Sequence, residues 1–168
     1  MHRECFERAM TDPCAVLLRP ARLADAVAMA QMSRELIETG LAWRYTPARM
    51  GALVTERETV ALGAFDGTRI AGFAVMQFGD AHAHLALLCV RPSHRRRGIA
   101  RRLVQWLVAS ARVAGMESIR LELRSDNPAA FGLYSGLGFF ETQLAPGYYD
   151  GRIAARRMAF ALRDIPPP

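Results

Sequence analysis

The stretch Leu85 to Val104, LALLCVRPSHRRRGIARRLV, decides how this chain reads. Its first half is almost wholly apolar, so His84 to Val90 predicts a strand buried on both faces, ended by Pro92. Its second half opens a helix. From Gly98 to Ala114, Ile99, Leu103, Leu107 and Ala111 recur at every fourth position with Val104 and Val108 beside them, one apolar stripe that Gly115 closes. Between the two lies Arg95-Arg96-Arg97-Gly98-Ile99-Ala100. A helix start presents unpaired backbone N–H groups and a partial positive charge, and small residues let an anion come close to them. Arg95, Arg96, Arg97, Arg101 and Arg102 set five guanidinium groups within eight residues, enough to attract a phosphorylated ligand or a nucleic acid. The run is neither the Walker phosphate loop nor the dinucleotide-binding glycine turn. On these residues alone two readings stand: a phosphate-binding turn, and a basic helix cap facing solvent.

Working outward, residues 14–19 predict a first strand and Ala21 to Ser33 a helix. Glu35 to Thr55, interrupted by Gly40, Pro47 and Gly51, predicts a short helix, a loop and a second helix. Thr59 to Phe65 and Arg69 to Phe78 predict strands joined by a tight turn at Asp66-Gly67. After the central helix come a strand at Ser118 to Arg124, a short helix at Asn127 to Ser135, and strands at Phe139 to Leu144 and Ile153 to Leu162 around a loop at residues 146–151. The order βααβββαβαββ predicts an α/β fold around one mixed sheet. The 168 residues, without internal repeats, are expected to form one domain over 14–163, with an N-terminal extension at 1–13 and a tail at 164–168.

All 22 basic residues are arginine, and the net charge is +6. Cys5, Cys14 and Cys89 are odd in number and far apart, which argues against a disulfide scaffold or a zinc module and predicts a reducing, cytoplasmic setting. No signal peptide or membrane-spanning helix is expected. Asp80, His82 and His84 share a strand face, but ligands two residues apart on one strand need outside help, so no metal is expected. Exposed sheet edges permit a monomer or a homodimer.

Two side chains invite a chemical reading. Glu122 alternates with Leu121 and Leu123, so it faces away from them, either in a solvated Arg-Glu-Arg ladder or in a site. Tyr134 sits among Phe131, Leu133 and Leu137, where an aromatic is commonly core, although a buried hydroxyl seeks a partner.

The pattern Arg95-x-x-Gly98-x-Ala100, between a strand and a long helix, resembles the signature of the GNAT superfamily of acetyl-CoA-dependent N-acetyltransferases. The element order over residues 14–163 is similar too. Leu121-Glu122-Leu123-Arg124 with Ser125, Asn127, Tyr134 and Gly138-Phe139 resembles the bacterial members that acetylate an N-terminal alanine of a ribosomal protein. The resemblance implies a GNAT fold with splayed central strands. It also implies transfer of acetyl from acetyl-CoA to a primary amine, a protein N-terminal α-amine being favoured over a lysine or a small amine, by direct attack in a ternary complex. In that scheme the backbone N–H groups of residues 96–101, within the run Arg95, Arg96, Arg97, Gly98, Ile99, Ala100 and Arg101, hold the coenzyme pyrophosphate. Leu88, Cys89 and Val90 pair with the pantetheine arm, and a backbone N–H near Leu88 or Cys89 serves the oxyanion. Glu122 is the general base, with His84 in reserve because imidazole titrates near neutrality. Tyr134 is the general acid, and Asn127 touches the coenzyme. Glu35, Trp43, Tyr45, Tyr148 and Tyr149 are the candidate acceptor-binding residues. The rival readings are an acetyl-CoA-binding module without turnover, and a nucleic-acid-binding module, for which no helix-turn-helix, zinc or RRM pattern is present.

Overall fold

The apolar stripe and the alternating strands are satisfied by a three-layer arrangement in the computed structural model, which describes residues 15–163. The elements are β1 (Leu17–Pro20), α1 (Ala26–Leu36), α2 (Pro47–Thr55), β2 (Thr59–Asp66), β3 (Arg69–Phe78), β4 (His82–Val90), α3 (Ile99–Val113), β5 (Ser118–Arg124), α4 (Pro128–Gly136), β6 (Phe140–Tyr149) and β7 (Ile153–Ala161). All seven strands lie in one sheet, ordered β1-β2-β3-β4-β5-β7-β6. Every pairing is antiparallel except β4 with β5. The expected βααβββαβαββ order on one mixed sheet is what forms. The extension at 1–13, the tail at 164–168 and residue 14 of the expected first strand lie outside the described residues.

One face of the sheet is covered by α3, whose Leu103, Val104, Leu107 and Ala111 pack with Leu85, Ile119 and Leu121. The other face is covered by α1 and α2, whose Met29, Ala30 and Met50 pack on Phe73, Val75 and Leu87. Each fully buried leucine or methionine removes its apolar surface from water, worth roughly 1.5–3 kcal/mol, so these two seams hold the layers together. Local chemistry fixes the helix starts. Thr46 accepts from the backbone N–H of Arg49 ahead of Pro47, and Asn127 accepts from that of Ala130 ahead of Pro128.

The central feature is in β4. Met76 pairs with Leu85 and Val75 with Leu87, so Ala86 is an extra residue, a β-bulge. Ala83 and Leu85 pack toward α3, whereas Ala86, Leu87 and Cys89 pack toward α1 and α2. β4 is therefore covered on both faces only beyond the bulge, from Leu87 to Val90; before it, buried Ala83 and Leu85 alternate with half-buried His82 and His84. Before the bulge β4 pairs with β5 at His82–Ser118, Ala83–Ile119 and His84–Arg120; beyond these three pairs the two strands part. This is the expected splay.

Three local expectations are corrected. No separate helix begins at Glu35; α1 runs on to Leu36, and Glu38 then folds back, its N–H and that of Ile37 both donating to the Ser33 carbonyl. The β2–β3 turn is Gly67-Thr68 rather than Asp66-Gly67, since Asp66 pairs with Arg69 and Gly67 carries the positive φ of +58°. The expected loop at 146–151 is mostly strand. β6 continues to Tyr149, absorbing Pro146 and Gly147 in a register shift that an edge strand tolerates, and turns at Asp150 and Gly151, with φ of +50° and +70°.

Candidate functional site

Where β4 and β5 part, a cavity of about 470 Å³ opens. Its floor is His84 to Leu88 of β4 and Glu122 to Arg124 of β5; α4 contributes Tyr134, and the α1–α2 loop and the end of β6 form the walls. Of the residues singled out in the sequence it brings together His84, Leu88, Glu122, Asn127, Tyr134, Tyr45, Tyr148 and Tyr149.

Glu122 and His84, read as competing bases, are partners: His84 Nε2 lies 2.6 Å from Glu122 Oε2. That hydrogen bond, against the opposing pull of burial and aided by the charges of His84 and Arg157, holds the Glu122 carboxyl below its ordinary range. When Nε2 donates to Glu122, Nδ1 is the ring nitrogen left to accept a proton. A third member was not legible in the sequence. Arg157 of β7 stands opposite Glu122 and Gln143 in the sheet register. Its Nη1 donates to Gln143 Oε1 at 2.8 Å, and its Nε, buried and without a hydrogen-bond partner among the described residues, lies 3.9 Å from Glu122 Oε1. The row Gln143, Arg157, Glu122, His84 thus crosses four strands from the sheet edge to the cavity.

Tyr134 is buried against Phe139, the ring centroids 5.4 Å apart. Burial, with Tyr149 and Cys89 adding to it, pushes its hydroxyl well above the ordinary tyrosine value, so it stays protonated and can donate. Cys89 is also buried, in the α1–α2 core, and its thiol is pushed up to about 12, against the pull of Arg91 and Arg95. Its side chain is inert packing, and only its backbone is available to a ligand. Val90 packs in the other core, and its carbonyl accepts from Arg95 Nε at 3.1 Å.

The basic turn lies beyond the cavity wall. Arg96 (φ +62°) and Gly98 (φ +74°) are both left-handed, which turns successive N–H groups to one side as in an anion-binding nest. The first α3 bond runs from Arg102 N to Gly98 O, so the amides of Ile99, Ala100 and Arg101 carry no helical bond. Arg95, Arg96, Arg97 and Arg101 are exposed around them, whereas the Ile99 side chain is core. The turn is pinned from behind by buried His94, which bonds Asp66 at 3.0 Å and Ser93 at 2.8 Å.

Two of the candidate acceptor residues lie away from this cavity. Glu35 is exposed on α1 and does not line the cavity, and Trp43 packs on the α1–α2 core under Arg34. Glu38 occupies the place expected of Glu35. It is buried and accepts from Ser33 Oγ at 3.0 Å, Arg44 N at 2.7 Å and Tyr45 N at 3.3 Å, so it shapes the loop that presents Tyr45. Across the cavity, Asp150 accepts from Ala42 N at 3.1 Å and Arg44 Nη2 at 3.2 Å, and Arg124 donates to the Thr39 carbonyl at 2.7 Å. Glu38→Ala strands those donors, and each buried unsatisfied group costs about 1–3 kcal/mol, so a loss of about 2 kcal/mol is expected in urea unfolding. Glu38→Gln, which keeps one acceptor oxygen, should lose less. Unchanged midpoints would show that the loop holds itself.

Among the described residues no group of three or more His, Cys, Asp or Glu side chains could hold a metal ion, and the nitrogens of His82 are engaged by Ser118 and Arg120. No described helix is long and apolar enough to cross a membrane.

A nest of free amides before a long helix thus sits beside a splayed pair of parallel strands. Residues 28–139 match the acetyltransferase (GNAT) family, and the chain belongs to it. The ribosomal protein bS18-alanine N-acetyltransferase of Escherichia coli K12 is 35% identical over 97 residues, 56% of this chain and 66% of that protein, so the match spans just under two thirds of that relative. The N-alpha-acetyltransferase RimI of Mycobacterium tuberculosis is 31% identical over 130 residues, 75% of this chain and 79% of that protein. The crystal structure of the Escherichia coli ribosomal-protein-S18-alanine N-acetyltransferase superposes with a TM-score of 0.76 at 25% identity, covering 88% of this chain and 94% of that one. Arabidopsis thaliana NAA60 in complex with acetyl-CoA shares the fold, with a TM-score of 0.76 at 18% identity over 87% of this chain and 98% of that one.

Proposed function

We propose that the chain is an acetyl-CoA-dependent N-acetyltransferase that acetylates a primary amine, favouring the N-terminal α-amine of a protein, by direct attack in a ternary complex. The observation that carries this reading is the hydrogen-bonded His84–Glu122 pair on the floor of the gap between β4 and β5, with the Tyr134 side chain lining the same cavity. The relatives named for N-terminal acetylation support the choice of acceptor.

Acetyl-CoA supplies the activated acyl group. The amides of residues 96–101 and the guanidinium groups of Arg95, Arg96, Arg97 and Arg101 hold its pyrophosphate. The β5-facing backbone of Leu88 to Val90, free of a strand partner beyond His84, pairs with the pantetheine arm. An amide at Leu88 or Cys89 donates to the developing oxyanion. Asn127 contributes through Nδ2, because Oδ1 already caps α4. Tyr45, Tyr148 and Tyr149 enclose the acceptor.

Deprotonating an α-amine of pKa near 8 costs about 1 kcal/mol at pH 7, against about 4–5 kcal/mol for a lysine ammonium. A modest base therefore suffices for the former. His84 and Glu122 act as a unit: the imidazole takes the proton and the carboxylate, held ionised, stabilises the imidazolium. Tyr134 gives its proton to the departing thiolate. A cytoplasmic setting suits this chemistry and the free thiol of Cys89.

The test is acetyl transfer to a peptide with a free N-terminal alanine, beside the same peptide blocked at its N-terminus and carrying an internal lysine. The free terminus should be the better acceptor; transfer to lysine alone would overturn the α-amine assignment. Tyr134→Phe should lower kcat about a hundredfold with acetyl-CoA binding retained. Undiminished turnover in that variant would remove Tyr134 from the mechanism.

A further inference from the structure

Eight ionisable side chains of Glu, Asp, Arg and His type line the cavity, and seven are engaged within the protein. Arg44 pairs with Asp150, Arg124 with Asp126 at 2.9 Å, and His84 with Glu122. Glu38 is taken up by Ser33 Oγ and two backbone amides. Arg49 is the eighth. Among the described residues it makes no salt bridge; its guanidinium carbon instead lies 4.8 Å from the centroid of the Tyr45 ring, itself a wall of the cavity. This contact with the ring leaves the guanidinium N–H groups, which can bind a carboxylate in bidentate fashion, without a carboxylate partner among the described residues.

The basic turn at Arg95 to Arg101 forms no part of this cavity, so the phosphates of the coenzyme are provided for elsewhere. The acceptor's own amine belongs with Glu122 and His84 at the floor. What remains for Arg49 is an anionic group on the acceptor, away from the reacting amine. We infer that Arg49 is a specificity residue that takes the side-chain carboxylate of an aspartate or glutamate close behind the acceptor's N-terminus. This rests on the N-terminal acetyltransferase reading above, and it adds the substrate subclass: acidic N-terminal segments.

The test uses paired peptides that share an N-terminal alanine and differ only in glutamate against glutamine at the second or third residue, with acetyl-CoA saturating. At low salt the wild-type protein should favour a glutamate peptide about tenfold in kcat/KM, chiefly through KM. That ratio should collapse to about one in Arg49→Gln and shrink in 0.5 M salt, where an exposed charge contact is screened at roughly 4–5 Å. Equal use of both peptides by the wild type would overturn the inference while leaving the acetyltransferase reading intact. So would a preference that survives Arg49→Gln, or a variant whose defect lies in KM for acetyl-CoA. Free glutamate acetylated better than any peptide would assign the carboxylate to a small molecule and overturn it as well. Failure to acetylate any of the peptides would remove the underlying function, and this inference with it.

Discussion

Glu122→Gln is expected to lower kcat about a thousandfold while acetyl-CoA still binds, within the range a positioned acid–base group contributes. The substitution keeps the size and one acceptor oxygen at the end of the His84 hydrogen bond, but removes the charge that stabilises a protonated imidazole. His84→Gln should cost a similar factor. The double variant should be little worse than either single one, because groups that act as a unit are not additive. A double variant whose losses multiply would show that the two side chains act independently. There is a stability counterpart. The folded state holds the Glu122 carboxyl below its ordinary range, chiefly through the His84 hydrogen bond. Its contribution is therefore present above the unfolded value of about 4.3 and is lost as pH falls through the lower folded value. The margin of the wild type over Glu122→Gln in acid unfolding should shrink across that window.

Gly98→Glu is expected to weaken acetyl-CoA binding by a hundredfold or more, read by calorimetric titration. Gly98 caps α3 at φ +74°, a conformation that costs a side-chain-bearing residue about 1–2 kcal/mol. A Cβ there would meet no atom within 4 Å, so crowding inside the protein contributes nothing. The main effect under the proposed function is a carboxylate set beside the free amides, where it would compete with and repel the coenzyme pyrophosphate. Gly98→Ala separates the two causes: it carries the strain without the charge, and should lose about 1 kcal/mol of stability with a far smaller loss of binding. Wild-type affinity in Gly98→Glu would mean that the turn is only a helix cap.

What could be read from the sequence was what the chain decides locally. The α3 stripe, the glycine that opens it and the alternation that turns Glu122 away from Leu121 and Leu123 depend on neighbours within a turn or two, and each stands in the structure as read. What could not be read depends on segments meeting. His84 and Glu122 are 38 positions apart and become partners only through the register of β4 on β5. Arg157 reaches Glu122 because β7, not β6, lies next to β5, an order the chain does not follow. Glu38 rather than Glu35 shapes the cavity wall because the chain after α1 doubles back on Ser33. Pro146 and Gly147 read as a loop and proved to be an irregular edge strand, where no second neighbour demands their hydrogen bonds.

Ala86 gives this fold a curious arithmetic. With Ala86 left out of the count, the pleat of β4 runs unbroken: Ala83, Leu85, Leu88 and Val90 belong to the α3 core, and Leu87 and Cys89 to the other. Ala86 itself packs partly against the α1–α2 core. Its place is where β4 stops following β5 and the cavity begins. One extra residue in β4 thus sits on the floor of the cavity, two positions beyond the last pair that joins β4 to β5.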